Sequence, residues 1–241
     1  MRELPELDES AFRDLITHLT SKRIAVNRYR GRVGEGRSQC FGMVRKRCQA
    51  PDLSRQSWMD ARLHHLLMKF GSLYVPIPFT SIQINDSFLC ASHKDKHNDG
   101  DSYIVGFGSY TGGELVLKNP TDTDYNIRHR PLLFNGAEIE HYTKQFTGRR
   151  FTLVYHTLIP PPKAPMTAKL TDYEACVVNG SWVIAWRKEG HPVQYLDRKN
   201  GLPHPMKGRN TKQKKAEAAQ ATNNALELIR QAAAEHQDTP L

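Results

Sequence analysis

The densest group of metal-ligating residue types in this chain is His93-Lys94-Asp95-Lys96-His97-Asn98-Asp99-Gly100-Asp101-Ser102. On an extended segment side chains alternate, so His93 and Asp95 point to one side. Two imidazoles and one carboxylate on one face of a ferrous ion leave its other positions open, the arrangement of the non-haem Fe(II) oxygenases. The missing imidazole must come from a distant strand, and His141 supplies it. It is followed by Tyr142-Thr143-Lys144-Gln145-Phe146-Thr147-Gly148-Arg149-Arg150. This reads as strand, glycine-containing turn, strand, a hairpin that returns Arg150 to the side of His141. A guanidinium there forks onto the distal carboxylate of 2-oxoglutarate. Arg149, its neighbour, faces the other way.

Other readings of the same stretch stay open. Asp95, Asn98, Asp99 and Asp101 make a candidate calcium loop, out of register with D-x-D-x-D-G. His93 and His97 have the i, i+4 spacing of a zinc helix, opposed by Asn98-Asp99-Gly100-Asp101 directly after them. A plain surface loop with unrelated histidines is the third.

The elements that must position these residues follow from periodicity. Phe12, Leu15, Ile16 and Leu19 form one apolar face and predict a helix over 10–20, capped by Asp8 or Ser10. Leu63, Leu66, Leu67 and Phe70 predict a second over 57–70, ended by Gly71, with His64 and His65 exposed or in a second layer. Residues 24–54 show no period and read as irregular. From Val75 the pattern becomes short β runs between turn residues, near 79–85, 103–107, 113–118, 131–134, 137–142 and 150–157. After the proline-rich break at 160–165 come strands at 175–178, 181–187 and 193–196, with Asn179-Gly180 as a hairpin turn. Residues 211–235, rich in Ala, Glu, Gln and Lys, predict a terminal helix. The class is α+β, helices first and then an antiparallel sandwich. The expected division is an oxygenase domain over 1–160 (helices within 1–74, strand core 75–160), a β-hairpin extension over 161–205, and a basic segment with a terminal helix over 206–241.

Composition agrees with a globular protein: 241 residues, 39% hydrophobic and 24% charged. No apolar run is long enough for a membrane span, and Met1–Glu9 lacks the apolar stretch of a signal peptide. The scattered cysteines Cys40, Cys48, Cys90 and Cys176 form no C-x-x-C pair, which favours a reducing intracellular compartment, nucleus or cytoplasm, and a soluble protein. The net charge of +9, with basic runs at 23–47 and 207–215, favours an acidic partner such as nucleic acid.

Three segments resemble the TET/JBP dioxygenases, which oxidise the 5-methyl group of thymine or methylcytosine. They are His93-x-Asp95-x-x-Asn98 with Gly100 and Ser102; Gly108-Ser109-Tyr110-Thr111-Gly112-Gly113-Glu114-Leu115; and Arg150-Phe151-Thr152-Leu153-Val154-Tyr155. The likeness spans roughly residues 80–160. It implies a double-stranded β-helix (jelly-roll) core, Fe(II) held by His93, Asp95 and His141, and 2-oxoglutarate held by Arg150. It also implies O₂ as oxidant, with ascorbate as a stimulatory reductant. Asn98 and His156 become candidates for contact with the substrate base; otherwise one is a turn residue and the other a strand-end histidine. Phe88, Tyr103, Tyr110 and Tyr142 are possible stacking residues, and Trp182 and Trp186 share one strand face as core residues or a platform.

Oxidation of a methylated pyrimidine in DNA, ahead of RNA, by a monomer is therefore the leading expectation. The alternatives are hydroxylation of a Pro, Lys or Asn side chain in a protein, and a non-catalytic nucleic-acid-binding module. Intact His93, Asp95, His141 and Arg150 oppose the last.

Overall fold

Alternation along the strand Phe146–Leu158 divides the molecule into two packing layers. Phe151, Leu153 and Tyr155 join a cluster with Phe12, Leu15, Leu67 and Phe70 of the helices, whereas Arg150, Thr152, Val154 and His156 line a cavity on the other side. A strand buried on both faces needs a layer on each, and the computed structural model, which describes residues 1–22, 24, 33–46 and 49–196, supplies them.

Helices α1 (Arg13–Thr20), α2 (Arg55–Met59) and α3 (Ala61–Tyr74) form one layer. The strands are β1 (Arg2–Glu3), β2 (Gly34–Lys46), β3 (Gln49–Leu53), β4 (Ser81–Cys90), β5 (Asn98–Gly112), β6 (Leu115–Asn119) and β7 (Thr121–Tyr125). They continue as β8 (Leu132–Phe134), β9 (Glu140–Thr143), β10 (Phe146–Leu158), β11 (Tyr173–Val178), β12 (Ser181–Trp186) and β13 (Gln194–Leu196). The major sheet runs β1-β8-β5-β10-β4-β2-β3 and the minor sheet β7-β6-β9. Reciprocal backbone bonds between His93 and His141 (3.0 and 2.9 Å) add the segment at His93 to the free side of β9. From β4 to β10 the chain thus passes major, minor, major, minor, minor, major, minor, major. That alternation is a double-stranded β-helix, with antiparallel pairing between its named strands. Ile104, Leu115, Leu117, Ile127, Leu132 and Phe134 form a buried apolar cluster within it.

The α+β class and the jelly-roll core agree with the sequence reading, as do the first helix and the three later strands. Four expectations are corrected. Residues 34–46 are not irregular; they form a long strand whose alternation is broken by Gly36 at φ +127° and Gly42 at φ +77°. The second helix does not stop at Gly71, because Gly71 is where Phe79 and Tyr155 press closest: a Cβ there would sit 2.6 Å from the Phe79 ring. His64 is fully buried, and only His65 lies near the surface, with its ring 4.8 Å from that of Trp182. Finally, β9 and β10 do not pair as a hairpin. The turn at Lys144–Gln145 carries the chain from one sheet to the other, so His141 and Arg150 face each other across the sandwich.

The β11-β12-β13 sheet packs through Tyr173, Ile184, Trp186 and Leu196 onto Met43, Trp58 and Ala61. Trp186 is core, and Trp182 lies over His65 at the margin. The predicted helix over 211–235 and most of the two basic runs lie outside the described residues. No helix among the described residues is long and apolar enough to cross a membrane.

Candidate metal centre

The reciprocal His93–His141 pair is the local reason two imidazoles meet. Directly opposed residues of an antiparallel pair project to the same face, and these two rings lie 4.3 Å apart. The third donor is set by a turn: the Asp95 amide donates to the Gly136 carbonyl at 2.8 Å, and the Asp95 carbonyl accepts from the Asn98 amide at 2.9 Å. One ligand atom from each of His93, Asp95 and His141 then falls within 4.8 Å of the others. The Nε2 atoms of His93 and His141 stand 3.4 and 3.7 Å from the two carboxylate oxygens of Asp95.

Both ring orientations are fixed from behind. His93 Nδ1 donates to the Ala91 carbonyl at 2.9 Å, and His141 Nδ1 donates to the Ile139 carbonyl at 3.0 Å. Each ring is thereby turned so that its Nε2 faces Asp95, the orientation a metal ligand requires. Gly136 closes the floor; a Cβ there would meet Asp95 Oδ2 at 3.1 Å and His141 Cε1 at 3.3 Å. Burial opposes protonation of His93, but Asp95 and Cys90 outweigh it and raise its pKa to about 10. Burial likewise opposes ionisation of Asp95, and His93 and His141 outweigh it and hold the carboxyl below its ordinary range. A two-histidine, one-carboxylate donor set with its ligand atoms this close fits Fe(II).

The cavity beside the three donors has a volume of about 420 Å³ and is walled by both sheets. Arg150 lies in its wall, 2% exposed, and among the described residues it forms no ion pair. Its Nε has no hydrogen-bond partner. Burial pushes its pKa down, with Tyr110, Cys90 and, at longer range, Glu114 acting in the opposite sense. The guanidinium lies 5.6 Å from the Tyr110 ring and 5.7 Å from that of Phe146. A buried cation without an ion-pair partner is costly, and an anion entering the cavity would offset that cost. The sequence Gly112-Gly113 now has a physical reason. Both residues have positive φ (+74° and +75°), and a Cβ on Gly113 would stand 2.9 Å from Arg150 Cδ and Nε. Arg149 takes the opposite face and holds Asp86 with two bonds, at 3.2 and 3.0 Å.

Asn98 and His156 both border the cavity. The Asn98 amide lies 3.4 Å from Asp95 Oδ2 and 3.4 Å from Ser102 Oγ, so it also helps to orient the carboxylate. Of the aromatic candidates, Phe88 lines the cavity and Tyr110 flanks Arg150. Tyr103 belongs to the core, and the Tyr142 hydroxyl donates to Asp122 at 3.3 Å. His97 is not brought to the other donors; Arg45 contacts its Nδ1. Sequence reasoning missed a polar wall. Gln83 Nε2 donates to Ser38 Oγ at 2.6 Å, Ser38 to Asn85 Oδ1 at 2.9 Å, and Asn85 Nδ2 to Thr152 Oγ1 at 2.9 Å. The signal was polar residues where a half-buried strand alternates, at Gln83, Asn85 and Ser87.

No protein-family model and no curated protein matches the sequence. Solved structures similar to this chain over about two thirds of its length include the following three. One is NgTET1 in complex with 5mC DNA, with 16% identity over 68% of this chain and 76% of that chain, at a TM-score of 0.46. A 2OG-Fe(II) oxygenase family oxidoreductase from Burkholderia pseudomallei gives 18% over 64% and 83%, at 0.43. A prolyl-4-hydroxylase from Pseudomonas putida gives 14% over 66% and 91%, at 0.40.

Proposed function

We propose that this chain is an Fe(II)- and 2-oxoglutarate-dependent oxygenase that oxidises the 5-methyl group of a pyrimidine base in DNA. The observation that carries the reading is the juxtaposition of His93, Asp95 and His141, donor atoms mutually within 4.8 Å, with the buried Arg150, which forms no ion pair among the described residues, in one cavity. Bound there, a ferrous ion with oxoglutarate and O₂ supplies C–H hydroxylation, with succinate and carbon dioxide as the other products.

The chain's own residues orient and exclude. Ala91 and Ile139 hold the imidazoles with Nε2 toward Asp95, and Asn98 steadies Asp95. Arg150, in the cavity wall, would hold the far carboxylate of oxoglutarate. Phe134, Leu115 and Val154 keep that side of the cavity apolar. Asn98 and His156, on the cavity wall, offer polar groups to the edge of a base. A base in a duplex must leave the stack to arrive there.

The test is nucleoside mass spectrometry after incubation with methylated DNA, with and without oxoglutarate, with ascorbate keeping iron ferrous. Oxidised pyrimidine that requires oxoglutarate and vanishes in Asp95→Ala is the expected result. An anaerobic Fe(II) titration of the same variant should show binding lost. Absence of oxidised base, with a peptide gaining one oxygen instead, would replace this reading by a protein side-chain hydroxylase.

A further inference from the structure

The charges that line the cavity do not balance. Among the described residues, its cationic side chains apart from histidine are Arg150, Lys94 and Lys96, and its one carboxylate is Asp95. If the proposed function holds, a ferrous ion and an oxoglutarate dianion cancel, and Arg150 and Asp95 offset each other. What is left over is the pair of lysines at the mouth.

Both lysines are exposed, and neither forms an ion pair among the described residues. Glu140 feels Lys94, but it is already bonded to Lys118 at 3.0 Å and to Ser92. Asp99 and Asp101 lie beyond the turn and line no portion of the cavity. Arg45 extends the positive rim, touching His97 beside Lys96. The lysines alternate with the metal-ligand candidates in His93-Lys94-Asp95-Lys96, so the backbone bonds that fix the donors also fix the rim. Two positive charges two residues apart on a hydrogen-bonded segment match an anion repeated along a polymer, since a nucleic-acid strand carries one charge per nucleotide.

We infer that Lys94 and Lys96 hold the phosphates flanking the target nucleotide, so that the substrate is a polynucleotide strand rather than a free nucleotide or a neutral peptide. The inference rests on the oxygenase reading for its charge balance, but it is tested by binding. A fluorescently labelled single-stranded methylated oligonucleotide is titrated with the Mn(II)- and oxoglutarate-loaded protein over a salt series, followed by anisotropy. The Lys94→Ala/Lys96→Ala double variant should lose affinity. Its log-affinity against log-salt slope should become shallower by about 1.4, at about 0.7 per single-strand phosphate contact. Lys69→Ala, on α3 outside the cavity, should keep the wild-type slope. Thermal shifts with Mn(II) and oxoglutarate check that the variants retain both ligands.

An unchanged slope in the double variant overturns the inference. So does a deoxynucleoside monophosphate that competes as well as the oligonucleotide, because the anion would then be a small molecule. A slope lost with the lysines, while wild-type protein oxidises no base, supports the phosphate rim and removes the base-oxidation reading. Base oxidation that proceeds with binding indifferent to the lysines does the reverse.

Discussion

Arg150 is buried at 2% exposure and forms no direct ion pair among the described residues, the Asp86 carboxylate being held by Arg149. Isolated buried charge costs stability, and the cost is recovered only when an anion arrives. Arg150→Met should therefore raise the stability of the ligand-free protein, by about 1 kcal/mol if the thioether packs between Tyr110 and Phe146. The same change should abolish stabilisation by oxoglutarate. Wild-type Mn(II) protein at about 100-fold excess over Kd should gain about 2.7 kcal/mol, seen as a higher Tm, and the variant nothing. A variant that loses stability yet keeps its oxoglutarate shift would show that Arg150 is structural. His93, Asp95 and Arg150 could be singled out by type and spacing. The orienting contact of Asn98 to Asp95 could not, because it depends on the turn that closes 95–98.

The turn between β5 and β6 exists to make room. Gly113 combines a left-handed backbone with a near contact to Arg150, so alanine there meets strain and crowding together. Left-handed conformation alone costs about 1–2 kcal/mol in a residue with a Cβ. Gly113→Ala should lower stability by at least that much in urea denaturation and should weaken oxoglutarate binding, since it displaces the guanidinium. Unchanged affinity would separate the turn from the site. Elements with regular periods were legible in advance: α1, β10 and the β11–β12 hairpin. β2 was not, because glycine bulges interrupt its alternation and Ser38, an apparently exposed residue, is buried in the polar wall. β7, Thr-Asp-Thr-Asp-Tyr, was not, because an edge strand of exposed polar residues has no apolar face to reveal it.

The helical layer contributes a pH dependence that belongs to the whole molecule. His64 is fully buried at 0% exposure, its ring nitrogens have no hydrogen-bond partner, and burial lowers its pKa to about 4. A histidine whose folded pKa is depressed binds fewer protons folded than unfolded. Its stabilising share is thus complete above the ordinary 6.5 and is lost as pH falls from there toward about 4. That gap corresponds to about 3 kcal/mol. Denaturation curves at pH 7 and pH 4.5 should show a large loss for wild type and a much smaller one for His64→Leu. Equal losses in both proteins would place the acid sensitivity elsewhere. The β11-β12-β13 sheet is held to this layer through Trp58, Tyr173, Ile184 and Trp186, so residues 173–196 share a core with the helices.

Sequence by itself determined the residue types, the change from helical to strand periodicity, and the alternation that puts 150, 152, 154 and 156 on one side of a strand. Those are local properties, fixed within a few residues by backbone geometry. Only the tertiary structure decided that His141 and Arg150 stand in opposite sheets, that His93 and His141 are direct backbone partners, and that Lys94 and Lys96 rim the cavity left between. Strand order and sheet crossing depend on pairings between segments far apart in sequence. No local period encodes them; they are chosen by burial of both faces of β10 at once.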